Sequence, residues 1–257
     1  MTKVAREATM SRKKKQYCFE DYVDKANRAR TVEGLFKVFV DTVGQHGIDR
    51  AIFSLSTDHD DIDAPVKLGL IHNYPKDWMA YYLEKGFDRI DPVLIHAART
   101  VGMFQWKELP RYLDLRKKQR LCLNLGQEAG LHNGLGILMR GPCNQTAGIA
   151  LATSEKKDAF DGNVDLVSAY CNHHYIAFKR LKKKRSALIE PNLFLTVRER
   201  DILLLAARNK SDAMIARALN MSVHTVDSHM RKIFRKLETN NRTMAIVKAI
   251  TLGLIHP

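Results

Sequence analysis

Between Leu195 and Leu237 apolar residues recur at helical spacing in three blocks separated by only a few residues. Thr196 with Glu199 three positions on forms a capping box, and Ser222 can cap the third block. Ile202, Leu203, Leu205 and Ala206 turn inward from the first block. Ile215, Ala216 and Leu219 do so from the second, and Val226, Met230, Ile233 and Leu237 from the third. The Arg208-Asn-Lys-Ser stretch must turn sharply, and Asn209 suits a left-handed position better than any residue but glycine. Helices this short, joined so closely, can bury their apolar faces only against one another. The pattern predicts a small all-α domain built on a helix-turn-helix.

The third helix leaves His224, Thr225, Asp227, Ser228, Arg231, Lys232 and Arg235 outward or flanking. Short polar groups at a helix start reach base edges, and basic ones neutralise phosphates or read guanine. A merely solvated amphipathic helix is the competing reading; three capped helices in this order favour DNA. A fourth helix, Arg242–Leu252, is apolar around much of its girth through Met244, Ala245, Ile246, Val247, Ala249 and Ile250. That surplus predicts a homodimer, whose paired recognition helices would meet a palindromic promoter site, with RNA polymerase as a further partner.

The net charge of +14 agrees with a polyanionic partner, nucleic acid or an anionic membrane surface. No apolar run approaches the ~20 residues that span a bilayer. Ser11-Arg-Lys-Lys-Lys is followed by no apolar stretch and is not a secretory signal. Cys18, Cys122, Cys143 and Cys171 are scattered, which argues against a zinc or disulfide framework and for a reducing cytoplasm. Cys171 lies near His173 and His174, but adjacent histidines face different sides of a helix, so no metal is expected.

Ahead of the helical domain, the patterning gives a helix from Thr31 to about Gly44, strands over 51–57 and 66–72, and a helix over 77–85. A helix over 113–129 follows, with an Arg-Lys-Lys-Gln-Arg outer face at 116–120. Strands over 134–139 and 148–153 come next, then a helix capped by Asn163 and running to about Arg185. Pro92 is expected to break the pattern. The fold class is α+β: an N-terminal α/β/α sandwich with an antiparallel sheet, plus the small four-helix domain. The expected divisions are a basic disordered arm at 1–17, a sensor domain at 18–181, a linker at 182–193 and the DNA-binding domain at 194–257.

The segment Leu195-Thr-x-Arg-Glu-Arg…Ile215-Ala…Leu219…Ser222-x-x-Thr-Val-x-x-His-x-x-x-Ile-x-x-Lys-Leu…Asn241-Arg…Ala245…Gly253-Leu-Ile resembles the C-terminal domain of LuxR-type regulators. Asn209 replaces that family's usual turn glycine, and Met214 its usual glutamate before Ile-Ala. Upstream, Tyr74-Pro-Lys-Asp-Trp78…Tyr82…Asp91-Pro92…Phe104-Gln-Trp106…Gly134 is similar to the autoinducer-binding domain of quorum-sensing LuxR proteins, over roughly residues 30–180.

The resemblance implies an N-acyl-homoserine lactone effector and no cofactor. It assigns Trp78 as donor to the lactone carbonyl, Tyr74 as donor to the acyl carbonyl and Asp91 as acceptor of the amide N–H. Tyr82 lies one helical turn from Trp78, Pro92 fixes the approach of Asp91, Trp106 is an apolar wall, and Gly134 leaves room. Leu138 stands where the family often has proline. Ala150 stands where a serine or threonine often lines the proximal chain, which predicts preference for an unsubstituted acyl chain over a 3-oxo one. Regulation without ligand, or by another small molecule, is the alternative. An enzyme acting on acyl lactones is disfavoured: no G-x-S-x-G elbow or H-E-x-x-H helix occurs, and the sequence shows no obvious catalytic motif around His46, His72 or His96. A phosphoacceptor pocket of the receiver type is not apparent either.

Overall fold

The computed structural model describes residues 18–157, 160–184 and 194–257, and its buried apolar residues fall into separate N- and C-terminal cores. The expected arm at 1–17 and most of the expected linker lie outside the described residues.

The N-terminal unit opens with α1 (Phe19–Arg28) and α2 (Val32–Val43). Thr31 caps α2, its hydroxyl accepting the Gly34 N–H at 3.0 Å. Five antiparallel strands follow in the spatial order β2-β1-β5-β4-β3: β1 (Arg50–Leu55), β2 (Lys67–His72), β3 (Phe104–Gln105), β4 (His132–Arg140) and β5 (Thr146–Thr153). Alternation along the pleat sends Phe53, Leu55, Ile137, Ile149 and Leu151 to one face, against α2 and α7 (Val164–Lys182). Ile52, Ala150 and Ala152 go to the other, against α3 (Lys76–Glu84) and α6 (Lys117–Glu128). The result is the α/β/α sandwich that the pattern predicts.

Three local expectations need correction. Pro92 opens a helix, α4 (Pro92–Ala97), because proline at the first helical position gives up an N–H that has no partner there anyway. The helix expected over 113–129 is shorter, α6 over Lys117–Glu128: Leu113 turns extended (φ −133°, ψ 134°), Leu115 is buried, and a separate one-turn helix, α5 (Leu109–Tyr112), precedes them. Asn163 precedes α7 without a side-chain capping bond; instead its N–H donates to Asp161 Oδ1 at 2.9 Å. The two-residue β3 was not expected, being too short to show a period of two.

The C-terminal unit comprises α8 (Val197–Ala207), α9 (Asp212–Leu219), α10 (Val223–Lys236) and α11 (Arg242–Thr251). Ile202, Leu203, Ile215, Val226, Met230, Ile233, Leu237, Ala245 and Ala249 form its core, with Leu205 and Leu219 only partly buried. The capping box closes as predicted: Glu199 Oε2 accepts the Thr196 N–H at 2.7 Å, and Thr196 Oγ1 accepts the Glu199 N–H at 3.3 Å. Burial works against the Glu199 charge, yet Lys236 at 2.6 Å and the Thr196 bonds hold its carboxyl below the ordinary range. Asn209 takes the left-handed conformation (φ 58°), and Asn220 does the same after α9 (φ 52°). Arg242 pairs with Asp212 and ties α11 to α9.

Candidate functional site

The second face of the sheet carries a small space of about 70 Å³ between α3, α6 and the start of α4. Tyr74, Trp78, Tyr82, Asp91, Trp106 and Ala150 all line it. Trp78 and Tyr82 project from one side of α3, with ring centroids 5.7 Å apart in an edge-on arrangement. Pro92 and Gly134, the other two expected residues, are not in the lining. Pro92 is buried at the start of α4, directly after Asp91, whose side chain caps that helix. Gly134 sits behind Trp106: a Cβ placed there would lie 2.0 Å from the indole Cδ2. The room that Gly134 leaves is therefore taken up by the tryptophan ring.

Sequence reasoning missed the contribution of α6. Cys122, Leu123 and Gly126 line the cavity from that helix, while attention went to its basic outer face. The apolar spacing at 122 and 126 was the available signal. Burial and Asp91 push the Cys122 thiol up to about 12, so it remains protonated and inert.

The polar groups of the cavity are few. Asp91 Oδ2 accepts from the Tyr82 hydroxyl and Oδ1 from the Val93 N–H, each at 2.7 Å. Burial raises the Asp91 carboxyl above its ordinary value, opposed by these two bonds. Burial, with the Asp91 charge, also raises the Tyr82 and Tyr74 phenols, so both keep their protons and can donate. A carboxylate offers about four lone-pair positions, so Asp91 retains capacity for another donor. Tyr74 Oη and Trp106 Nε1 are buried with no hydrogen-bond partner among the described residues. The second atom is a surprise, since Trp106 was expected only as an apolar wall. Beside this cavity opens a larger space of about 500 Å³, sharing Ile52, Leu68, Val93, Leu94 and Ala150 as walls.

On α10, His224, Thr225, Arg231, Lys232 and Arg235 are exposed and Asp227 and Ser228 half-buried. Ser222 caps the helix by accepting the Thr225 N–H at 3.0 Å. Asp227 holds Arg231 at 2.9 Å, which fixes the direction of that guanidinium. Val223, missed in the sequence reading, is half-exposed at the helix start and offers an apolar surface of the kind that meets a thymine methyl.

A sheet domain closed around an apolar cavity with buried donors, in one chain with a helix-turn-helix, defines a small-molecule-binding transcriptional regulator. Residues 31–174 match the family described as autoinducer binding domain, and residues 193–249 match bacterial regulatory proteins, luxR family. The chain belongs to the LuxR family of quorum-sensing transcriptional regulators. It is 34% identical over 195 residues to the quorum sensing-dependent regulator RpaR of Rhodopseudomonas palustris, covering 74% of this chain and 76% of that protein. To the transcriptional activator LuxR of Aliivibrio fischeri it is 28% identical over 196 residues, covering 74% and 76%. A 28% match to y4qH of Sinorhizobium fredii covers 72% of this chain but only 56% of that protein's length. Among solved structures, Escherichia coli SdiA superposes with a TM-score of 0.58 at 21% identity, covering 93% of this chain and 98% of that one. SdiA in complex with octanoyl-rac-glycerol gives the same TM-score at 23% identity, covering 93% and 96%. At that identity the likeness concerns the fold.

Proposed function

We propose that the protein is a cytoplasmic homodimer that binds an N-acyl-homoserine lactone and then a palindromic promoter element, where it acts with RNA polymerase. One observation carries the ligand assignment. Tyr74 and Trp106, whose Oη and Nε1 are buried donors without partners among the described residues, line the same cavity as a half-buried acceptor, Asp91. An acyl-homoserine lactone has the complementary set: carbonyl acceptors on ring and chain, and one amide N–H. Each unpaired buried donor costs about 1–3 kcal/mol, and a ligand acceptor offsets that cost. The adjoining 500 Å³ space suits the acyl chain, each buried methylene contributing about 0.8 kcal/mol. The head-group cavity, at about 70 Å³, is well below the ~300 Å³ at the lower end of ligand sites, so binding must part α3 and α6 slightly. Exposed Met244 and Val247 on α11 support pairing of two DNA-binding units.

Purification from cells supplied with a panel of lactones, followed by extraction and mass spectrometry, tests this reading. We expect a lactone with an unsubstituted chain to be recovered, and to stabilise the fold by about 2.7 kcal/mol at a hundredfold excess over Kd. The ring-opened acyl-homoserine should not. Recovery of a different molecule, or an unchanged melting midpoint with every lactone, overturns it.

A further inference from the structure

The basic run at 116–120 is not used by either the ligand cavity or the DNA-reading helix. In the structure Arg116, Lys117, Lys118 and Gln119 of this run form one wall of a groove of about 640 Å³ on the sensor unit. The other walls are Arg89, at the end of the short 3-10 turn Phe87–Arg89, and Arg99, just beyond α4. Arg89, Arg99, Arg116, Lys117 and Lys118 are all exposed around the rim, against one carboxylate, Asp114. Among the described residues none of these five cations is in an ion pair. Half-buried Ile90, Ile95 and Leu113 form the floor.

Folding alone gives no reason for this arrangement. The first turn of α6 contains no acid, so its cations lie at the positive end of the helix dipole and repel one another. The groove is nevertheless firmly built. Gln119 donates from Nε2 to the Ile90 carbonyl at 3.0 Å and accepts the Arg116 N–H at 2.9 Å, tying α6 to the segment before α4. Both effects are relieved when carboxylates occupy the rim.

The geometry points to this groove as the docking site for an acidic segment of a partner protein, one that carries aliphatic side chains between its carboxylates. The cationic rim selects the acids, and the Ile90, Ile95 and Leu113 floor takes the aliphatic groups. A DNA backbone would match the rim but leave that floor without a counterpart, which is why a peptide is favoured. The stretch from Ile90 to Ile95 serves both sites: Asp91, Val93 and Leu94 line the ligand cavity, while Ile90 and Ile95 line the groove. The inference does not depend on the identity of the small-molecule ligand.

Fluorescence anisotropy on the full chain tests it, with a labelled peptide alternating glutamate and leucine as the probe. A second peptide has serine for leucine, a third glutamine for glutamate, and a random-sequence duplex is titrated separately. The leucine peptide should bind, and Lys117→Glu/Lys118→Glu should weaken it about tenfold. Arg99→Gln, on a different element, should weaken it by a smaller factor. The serine peptide should bind several-fold less tightly and the glutamine peptide not measurably. Because acids suit a helix start, the charge-reversed protein should melt no lower than the parent, which separates lost binding from lost folding. The proposal fails if the leucine peptide does not bind, if the serine peptide binds equally well, or if charge reversal leaves peptide binding intact. It also fails if charge reversal weakens duplex binding as much as peptide binding, since the groove would then be a DNA contact.

Discussion

Gly134→Ala isolates the packing that shapes the ligand cavity. An alanine Cβ at this position would stand 2.0 Å from Trp106 Cδ2, 2.1 Å from Cε3 and 2.4 Å from Cε2. Carbon atoms rest comfortably at about 3.5 Å, so the indole would have to retreat about 1.5 Å. Gly134 is not among the positive-φ glycines, so the substitution tests space and not backbone strain. Forcing a methyl into such a site costs about 1–3 kcal/mol, and each kcal/mol lowers the melting midpoint by about 2–4 °C in a domain of this size. Any retreat of Trp106 also deforms the cavity that it lines, so lactone affinity should fall about tenfold or more. Gly148→Ala is the matched control for stability. It lies on the same face of the sheet, opposite Leu138, and its Cβ would meet nothing closer than 3.8 Å. Because Gly148 lines the adjoining 500 Å³ space, ligand titrations of Gly134→Ala are compared with the parent protein instead. If Gly134→Ala melts like Gly148→Ala and binds like the parent, Trp106 is not held by this contact and the account of the cavity wall is wrong.

Three other outcomes are expected. Ala150→Ser adds a hydroxyl on the wall shared by the two spaces, and should improve the response to 3-oxo-acyl lactones relative to unsubstituted ones by about fivefold, one hydrogen bond's worth. An unchanged ratio in a reporter assay would place the 3-position elsewhere. His174 is fully buried among Phe36, Phe39 and Phe53, and burial depresses its imidazole to about 3 from 6.5. The folded state keeps it neutral while the unfolded chain takes up a proton, so stability present above about pH 6.5 is lost as pH falls. The loss is about 2 kcal/mol by pH 5. Urea titrations across that range should show the slope, and His174→Met should flatten it. Lys232→Ala should reduce the slope of log K against log salt by about 0.9 without changing sequence preference, in operator binding measured over a salt series. A changed base preference would mean that Lys232 reads bases.

Most of the helical unit is legible in the chain because its determinants are local. Thr196 and Glu199 lie three residues apart, and Asn209 lies two residues past the end of the helix that it closes. A period of 3.6 also places Val226, Met230 and Ile233 on one face whatever they pack against. Strand positions were similarly readable from alternation, although the two-residue β3 and the break at Leu113 were not. A two-residue strand has no period, and the extension at Leu113 accompanies the burial of Leu115, a contact that no local window contains.

The ligand cavity shows the other limit. Tyr74, Trp78, Tyr82 and Asp91 form a dense cluster in sequence, and helical spacing alone puts Trp78 and Tyr82 on one side. Their convergence with Trp106, Cys122 and Ala150, from three other elements, depends on which sheet face each one reaches. That choice also decided the roles. Gly134 accommodates the tryptophan ring, and the Trp106 N–H became a buried donor instead of part of a plain wall. The groove beside α6 belongs to the same class, because its cations come from segments ten to twenty residues apart. Local periodicity and capping act through neighbours along the chain and so leave their mark on it. Cavities, orphaned donors and charged clefts arise from long-range packing, and come into being only when the sheet and its helices close.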